Sequence, residues 1–462
     1  MISVLTILLF TLLQLIAGFG ILTLFNIQLK PGLFLSLSML LGVAVFSLVP
    51  FILQLFYIPL TSLNIFLSLV IACITLNIKF RNGLHHLKII FQNTHFKIRL
   101  YEIPFLTLIT IIVLISVWRC FYMPPTPRDL NSGAEVIAEY AVHEGTMINS
   151  VFAVNLETTN NVFKPPFIIC LQIIYKLAGF PFGQLWLSTV FISFVIFLYH
   201  AVSATVHRLV TGLLIICFLA IPEMYAYTFM VLFDYSNAVF FFLSLYFLFI
   251  FFANKQTGYL TFAGLLMGIA TYIRSETLVL ACLVIPAITW NNLKSSDGFK
   301  KWVIICLIFL APTLICYFIC VPVYVNHYLP IKYNIQNQVN PHLLNLKPLL
   351  TRFIDVNREL IFSKDGITYY GYFIFIFVFA LALEIIFSRR FTRAGKNWLY
   401  AVLVIYIGLP ILGYLLPLLD LDNSTKRGLF KVFPLMLLYM ANNGLLIKLS
   451  ERITKWEMAN SN

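Results

Sequence analysis

The first 78 residues of the chain carry a single charged side chain, Lys30, within almost unbroken apolar sequence. A helix needs about 20 apolar residues to cross a hydrocarbon layer about 30 Å thick, and the runs on both sides of Lys30 are long enough. In lipid every backbone donor and acceptor must be satisfied within its own segment, so such runs form helices. The first run lacks a basic start and a small-residue cleavage site, which indicates a membrane span and not a removable signal peptide.

The remaining sequence has the same character. Hydrophobic residues make up 61% and charged residues 11% of the chain, whereas soluble domains have about 45–50% and about 25%. We therefore predict an all-α, polytopic transmembrane helical bundle of about thirteen spans. The predicted spans are residues 3–26, 33–55, 59–78, 104–120, 185–206, 210–221, 238–253, 259–273, 277–290, 302–323, 368–387, 398–417 and 429–449. Residues 1–103 form an amino-terminal helical part with a basic loop, residues 104–449 a core with outer loops 121–184 and 324–367, and residues 450–462 a tail.

Basic residues are distributed unevenly between the two ends of these spans. If residues 82–95 face the cytoplasm, the cytoplasmic side holds 18 of the 31 Lys and Arg residues against five acidic residues. This positive-inside bias predicts that the amino terminus and residues 121–184 lie outside the cytoplasm. The net charge of +13 then faces anionic membrane lipid and is no argument for nucleic-acid binding. Composition also favours an AT-rich bacterial genome, so we expect a multi-pass protein of a bacterial inner membrane.

Polar residues concentrate in the stretch 122–174, which interrupts the apolar sequence before its last third. A proline-rich turn at residues 124–127 ends the fourth span, because proline fixes φ and removes a backbone donor. The turn is predicted to present Arg128 and Asp129 at the outer membrane boundary. A carboxylate held between a proline turn and a helix start has no structural need for its charge, so Asp129 is a candidate functional residue.

A short helix is predicted over residues 133–144, directly after this turn. Ser132 and Glu135 have the spacing of a capping box, and a glycine follows residue 144. Glu139 and His143 continue the stripe of Glu135 at intervals of four residues. We expect this helix to lie flat on the outer membrane surface. Its Glu139 and His143 are more typical of a solvated face than of a metal pair.

Four more ionisable residues stand at predicted outer ends of helices, namely Lys164, Asp234, Arg274 and Arg427. Lys164 precedes two prolines and a second predicted surface or re-entrant helix at residues 167–177, whose positive end suits a phosphate; snorkelling to lipid headgroups is the alternative. Asp234 opens an aromatic-rich span, where a carboxylate is costly unless it pairs or binds a cation. Arg274 either is functional or forms a structural ion pair with a Glu, such as Glu276, or with an Asp. Arg427 either clamps a phosphate or snorkels.

The order of these motifs resembles the GT-C superfamily of integral-membrane glycosyltransferases, in particular the ArnT-type aminoarabinose transferases and the protein O-mannosyltransferases. The resemblance covers roughly residues 118–440. Its motifs are the acidic motif Arg128-Asp129, the turn Lys164-Pro165-Pro166, a second acid at Asp234, and basic residues at Arg274 and Arg427. The chain departs from the family pattern at Leu130, where the family has a second carboxylate, and in the three spans that precede the first reactive loop's own span.

The resemblance implies transfer of a sugar from a polyprenyl-phosphate donor to a glycan, lipid or protein acceptor at the outer face of the membrane. The acceptor attacks the anomeric carbon in one inverting displacement, with Asp129 as the general base. Phosphate-binding residues are then expected at Arg128, Lys164, Arg274 and Arg427. Asp234 and Glu139 are the candidates for a second acid, and Asp129 with Asp234 for a divalent cation if the reaction uses one.

Two other classes of protein share parts of this pattern. A transporter or flippase has a similar number of helices but keeps its ionisable groups at the membrane midplane. An O-antigen ligase or glycan polymerase also acts on lipid phosphates, and it favours Arg and His residues on a large late loop. The loop 324–367, with Arg352 and Arg358, keeps that second alternative open.

Overall fold

The computed structural model describes residues 2–79, 99–126, 133–153, 164–180, 183–293, 298–328, 339–341, 345–388, 391–417, 419 and 421–460. These residues form helices joined by turns, with no β-strand among them, which confirms the all-α class. In chain order the helices are α1 (Ile2–Leu24), α2 (Pro31–Leu55), α3 (Ser62–Leu76), α4 (Ile103–Tyr122), α5 (Ala134–Glu144), α6 (Phe167–Leu177), α7 (Leu185–Ser203), α8 (Arg208–Leu219), α9 (Pro222–Ala226), α10 (Phe233–Asn254), α11 (Thr257–Ile273), α12 (Thr277–Asn292), α13 (Gly298–Phe318), α14 (Lys347–Asp355), α15 (Lys364–Tyr370), α16 (Phe373–Leu383), α17 (Arg393–Leu415), α18 (Phe433–Ala441) and α19 (Gly444–Asn460).

Seven helices in the described ranges are long and apolar enough to cross a membrane: α1, α2, α4, α7, α10, α13 and α17. Two bent pairs raise this number to nine if each pair is a single span. One pair joins α15 to α16 at 92°, and the other joins α18, with the helical turns before it, to α19 at 51°. These helices are compatible with a multi-pass membrane protein. The predicted number of about thirteen spans is not confirmed, because α3, α8, α11 and α12 are apolar but shorter than a full crossing.

The amino-terminal helices pack directly against the rest of the bundle. Most side chains of α2 are buried, and α2 lies against α1, α6 and α7. Gly18 and Gly42 allow the backbones of α1 and α2 to touch, since a Cβ at either position would overlap the facing backbone. Small residues commonly permit such close helix contacts in membranes. The Tyr272 hydroxyl donates to the Ser47 carbonyl at 2.9 Å, which ties α2 to the end of α11.

Helices α10 and α11 form an antiparallel hairpin through the centre of the bundle. The hairpin turns at Lys255, whose φ of 59° is left-handed. Ser244 donates to the Ala263 carbonyl at 2.7 Å, and Asn237 donates to the Ala270 carbonyl at 2.7 Å. Because the helices run in opposite directions, the first turn of α10 lies beside the last turn of α11. This arrangement brings together residues 40 positions apart in the sequence.

Helix α5 agrees with the prediction for residues 133–144, and it ends at Gly145 with a left-handed φ of 71°. The capping-box interpretation of Glu135 is wrong, because the N-cap is Gly133, which has no side chain to accept a hydrogen bond, and Glu135 then stands at N2 and not at N3. The Glu135 carboxylate instead accepts from Gln172 at 2.5 Å and pairs with Lys176 at 2.6 Å. Glu135 therefore attaches α5 to α6.

Of the two alternatives predicted for residues 167–177, a surface helix and a re-entrant helix, the first is wrong. Helix α6 has these bounds, but nine of its residues, Phe167 to Tyr175, are buried. It is enclosed by α2, α5 and α7, and its Phe167 ring packs edge-on against Trp186 and Tyr272. Gln172, the polar residue on its buried face, accepts from the Trp186 indole at 2.9 Å and donates to Glu135. Internal polar partners thus allow a helix that looks amphipathic to lie inside the bundle.

Candidate functional site

A buried ion pair joins the two open ends of the α10–α11 hairpin. Asp234 lies in the first turn of α10 with 2% of its surface exposed, and Arg274 follows α11 with 6% exposed. The guanidinium of Arg274 donates to Asp234 Oδ1. The carboxylate stands at the positive end of a helix and the cation at the negative end, so both helix dipoles favour these charges.

Arg274 has a second carboxylate partner at the start of α12. Its Nε donates to Glu276 Oε1 at 2.6 Å, and a terminal guanidinium nitrogen contacts the same oxygen. Both structural pairs that the sequence offered for Arg274, with an Asp and with a Glu, are therefore present together. One guanidinium links the ends of three helices.

Arg427 reaches the other oxygen of Asp234 from the carboxyl-terminal part of the chain. Its terminal nitrogen lies 3.3 Å from Asp234 Oδ2, and 21% of its side chain is exposed. The neighbouring Lys426 pairs with Glu223 at 3.0 Å and lies 3.9 Å from the centre of the Tyr369 ring. Arg427 Nε is buried without an acceptor among the described residues. Arg427 thus has spare hydrogen-bonding capacity, whereas Lys426 has a carboxylate of its own.

Lys164 precedes α6 and contributes a third cation to this region. Its Nζ lies 5.1 Å from the centre of the Phe233 ring, next to Asp234 in the sequence. No carboxylate of the described residues lies within ion-pair distance of Lys164. The pKa of Lys164 is lowered to about 8, chiefly by burial and then by the charge of Arg274, although Glu276 and Asp234 act in the opposite direction. An ammonium group in this position lacks a matching anion.

Lys431 is a fourth cation, which the sequence analysis missed. It lies in the helical turn Leu429–Lys431 before α18 and is 6% exposed, and it interacts electrostatically with Arg274, Asp234 and Glu276. The signal in the sequence is its position four residues after Arg427, which places both side chains on one face of a helix. Because Lys431 lies within an apolar run, the sequence alone did not mark it as a candidate site residue.

We call these six residues the cation cluster; its members are Lys164, Asp234, Arg274, Glu276, Arg427 and Lys431. With all six groups ionised, four positive charges face two negative charges, which leaves a surplus of two positive charges. Buried charge is costly unless it is paired, because the protein interior replaces the hydration of the ions. The cluster is therefore suited to receive an anion with about two negative charges.

The predicted acid–base residue cannot be placed in this geometry. Arg128 and Asp129 lie outside the described residues. The last described residue before them is Thr126, whose carbonyl accepts a hydrogen bond from the Val231 amide at 3.0 Å. Val231 is three residues before Asp234, so the chain is fixed beside the start of α10 where the Arg128-Asp129 segment begins.

Glu139 and His143 lie elsewhere, in a second charged group that we call the α5–α6 junction; it consists of Glu135, Glu139, His143 and Lys176. Lys176 Nζ is 2.6 Å from a carboxylate oxygen of Glu135 and 2.6 Å from one of Glu139. His143 lies 3.5 Å from Glu139. The hydrogen bond from Lys176 lowers the pKa of Glu139. Glu139 is engaged by Lys176 and His143 and is not part of the cation cluster.

The described residues do not fit a divalent cation at Asp234. Both of its oxygens already accept from guanidinium groups, and cations surround it. A divalent cation prefers several oxygen ligands, whereas no group of three or more His, Cys, Asp or Glu side chains suited to a metal occurs in the described ranges. The arrangement suits an anion instead.

Comparison of the chain with protein-family models, with curated proteins and with solved structures finds no match. The geometry of the cation cluster is therefore the basis for the functional argument.

Proposed function

We propose that this chain is a membrane glycosyltransferase that moves a sugar from a polyprenyl-phosphate donor to an acceptor at the outer face of the membrane. The observation that carries the proposal is the surplus of two positive charges in the buried cation cluster. The GT-C resemblance assigns Lys164, Arg274 and Arg427 to the donor phosphate. Arg274 and Arg427 both contact Asp234, and Lys164 lies against the neighbouring Phe233 ring.

The charge surplus matches the leaving group better than it matches the donor. In a polyprenyl-phosphate sugar the phosphate is a diester with one negative charge. After the sugar departs, the polyprenyl phosphate is a monoester with about two negative charges near neutral pH. Cations that meet the second charge as it develops stabilise the transition state more than the bound donor, and only such differential binding accelerates the reaction.

The proposed reaction is a single inverting displacement. The acceptor oxygen or nitrogen forms a bond to the anomeric carbon while the bond from that carbon to the phosphate oxygen breaks. The phosphate keeps the bonding electron pair, and Asp129 accepts the acceptor's proton. Asp129 is three residues from Thr126, which is fixed beside Val231, and three extended residues span at most about 11 Å. A general base contributes about 10²–10⁴-fold to such a rate.

We infer a membrane arrangement that goes with this reaction. The short helices α3, α8, α11 and α12 cross together with the seven long helices and the two bent pairs, which gives thirteen spans. The positive-inside bias then assigns the cation cluster to the outer side of a bacterial inner membrane, with the three amino-terminal spans as part of the bundle.

Local contacts of the late loop favour this proposal over an O-antigen ligase or glycan polymerase. That alternative assigns the chemistry to residues such as Arg352 and Arg358. Arg352 donates to the Thr425 hydroxyl at 2.7 Å, and Arg358 pairs with the adjacent Glu359 at 3.1 Å. Among the described residues Arg352 Nε, like Arg427 Nε, is buried without an acceptor, but Arg352 and Arg358 share no carboxylate there as Arg274 and Arg427 share Asp234. A transporter is the third choice, because transporters keep their ionisable groups at the membrane midplane, whereas the cation cluster is assigned to the outer ends of the helices.

The test uses the purified full chain in lipid nanodiscs with a panel of polyprenyl-phosphate sugars. One donor should raise the unfolding temperature, and that donor should release polyprenyl phosphate when an acceptor is added. The Asp129→Asn variant should keep the thermal protection but lose the release. Absence of protection by every donor, or equal release by wild type and variant, would refute the proposal.

A further inference from the structure

A cavity lies between α4 and α7, away from the cation cluster. It has a volume of about 600 Å³, which is within the range of about 300–1,000 Å³ typical of ligand sites. Its walls are apolar and include Ile109, Val113, Ile192, Val195 and Ile196. We call it the α4–α7 groove.

The groove has a polar mouth at one end. Lys30, Glu102, His200 and Arg208 line that end. Glu102 is engaged, because its carboxylate lies 3.1 Å from Arg208. Lys30 is exposed and forms no ion pair with a carboxylate of the described residues. One positive charge at the mouth is therefore left for an external anion.

Ring contacts between α7 and α10 show that the mouth and the cation cluster lie at opposite ends of the bundle. Phe191 packs on Tyr235 beside Asp234, and Phe197 packs on Tyr246, three turns further along α10. Helix α7 thus runs parallel to α10, and its last turn, which lines the mouth, is remote from Asp234. With the predicted orientation the mouth faces the cytoplasm.

The length of the groove corresponds to one leaflet of a membrane. Along α7 its lining extends from Ile192 to Ser203, a rise of about 16 Å at about 1.5 Å per residue. This is about half of a hydrocarbon layer about 30 Å thick. On α4 the lining ends at Leu114, whose side chain is 57% exposed. The groove is thus open towards the membrane along one side.

We propose that the α4–α7 groove is a binding site for one anionic phospholipid of the inner leaflet. The phosphodiester lies at the mouth against Lys30 and Arg208, and an acyl chain fills the apolar walls. One negative charge of the phosphodiester balances the one surplus positive charge. Beyond the mouth an acyl chain meets mainly apolar side chains, with Thr110 as a polar exception. A hydrophilic phosphate compound does not need such apolar walls. This proposal does not depend on the glycosyltransferase function.

The charge arm of the test measures lipid binding to the detergent-purified chain by native mass spectrometry. Phosphatidylglycerol and phosphatidylcholine with identical acyl chains are compared. Wild type should bind phosphatidylglycerol about fivefold more tightly, the effect of one basic residue near a lipid phosphate. Lys30→Gln should remove most of that preference, whereas Lys79→Gln, at another exposed lysine, should retain it. Equal binding of both lipids, or an unchanged preference in Lys30→Gln, would overturn the proposal.

The apolar arm uses two exposed leucines of α4. Leu114 lines the groove, whereas Leu108, 43% exposed, does not. Leu114→Trp should reduce the binding of both lipids at least threefold by filling the groove, and Leu108→Trp should leave it unchanged. Glycerol 3-phosphate should not compete, since it lacks the acyl chain. Equal behaviour of the two Trp variants, or competition by glycerol 3-phosphate, would contradict a lipid site.

Discussion

Two lysines at opposite ends of α6 have opposite electrostatic surroundings. Lys164 precedes the helix and belongs to the cation cluster, and Lys176 lies in its last turn and belongs to the α5–α6 junction. Burial disfavours the charge of both. At Lys176 hydrogen bonds and charges of Glu135 and Glu139 outweigh burial, so its pKa is raised. At Lys164 burial and two guanidinium groups together lower the pKa to about 8.

Lys176 is thus a structural charge with partners inside the chain, whereas Lys164 is a buried charge without a carboxylate of its own among the described residues. The α5–α6 junction supplies two carboxylates for Lys176, so this group is complete within the chain. The cation cluster has two carboxylates for four cations, and Arg274 and Arg427 share Asp234. Under the proposed function, changes in the cation cluster affect the donor, whereas matched changes in the junction affect at most the folding of α5 on α6.

The largest expected effect compares two carboxylates. Asp129→Asn should reduce glycosyl transfer by about 10²–10⁴-fold, because the reaction loses its general base. Glu139→Gln, in the junction, should retain transfer within about twofold. Initial rates with saturating donor and acceptor, measured on equal amounts of membrane-inserted protein, give both values. A comparable loss of transfer rate in Asp129→Asn and Glu139→Gln would show that the α5–α6 junction matters for the reaction as much as the proposed general base.

The second comparison concerns stability. Arg274→Gln should reduce the free energy of unfolding by about 3–5 kcal/mol, because Asp234 and Glu276 lose their shared partner in a buried site. Lys176→Gln should cost less, about 2 kcal/mol, because water replaces part of the contact with the half-exposed Glu139 and the Gln amide can still donate to the more buried Glu135. Unfolding in mixed detergent micelles, followed by circular dichroism, measures both. If Arg274→Gln proves no more harmful than Lys176→Gln, the buried pairs do not hold the helix ends together.

Much of this contrast could be predicted from the sequence. Successive apolar runs cross the membrane in alternate directions, which predicts Lys164, Asp234, Arg274 and Arg427 on its outer side. The hairpin of α10 and α11 brings two of them, Asp234 and Arg274, into contact. Lys431 was missed because a lysine inside an apolar run shows no periodic pattern of its own. Its partners come from distant helices, which one sequence does not reveal.

The errors at α5 and α6 have a common physical cause. Glu135 has the correct spacing for a cap, but a tertiary partner, Lys176, competes for its carboxylate. Helix α6 contains Gln172 and Lys176, which indicates an amphipathic surface helix when tertiary contacts are unknown. Burial of α6 became possible because Trp186 and Glu135 satisfy Gln172. The number of spans is uncertain from sequence for another reason: short apolar runs fit both tilted spans and buried helices.

A third comparison uses the two lysines of α6. Lys164→Met should raise the donor KM about tenfold, the usual contribution of a charged hydrogen bond to a phosphate, and should also lower kcat, because the lysine meets the second charge of the departing phosphate. Lys176→Met should change the donor KM less than twofold. Lys164→Arg, which keeps the positive charge, should restore most of the affinity. Steady-state kinetics with varied donor at fixed acceptor distinguish the three variants, and equal KM values for Lys164→Met and Lys176→Met would contradict a role of the cation cluster in donor binding.

The smallest effect is a dependence of donor affinity on pH. Lys164 is protonated below its pKa of about 8 and loses its charge as the pH rises through that value. The donor phosphodiester keeps one negative charge throughout, so affinity should be highest below pH 8 and decline severalfold by about pH 9.5. Lys164→Arg should show a shallower decline, because arginine stays charged in this range. Donor titrations of wild type and variant at both pH values measure the change, and an affinity that increases with pH would show the wrong sign.

The most direct test of the surplus charge compares polyprenyl phosphate with the polyprenol of equal length, using thermal unfolding of the wild-type chain in nanodiscs. The account predicts that polyprenyl phosphate raises the unfolding temperature and that polyprenol does not, with the difference reduced in Lys164→Met and retained in Lys176→Met. Equal protection by the two lipids would contradict the account, because the cation cluster would then play no part in binding.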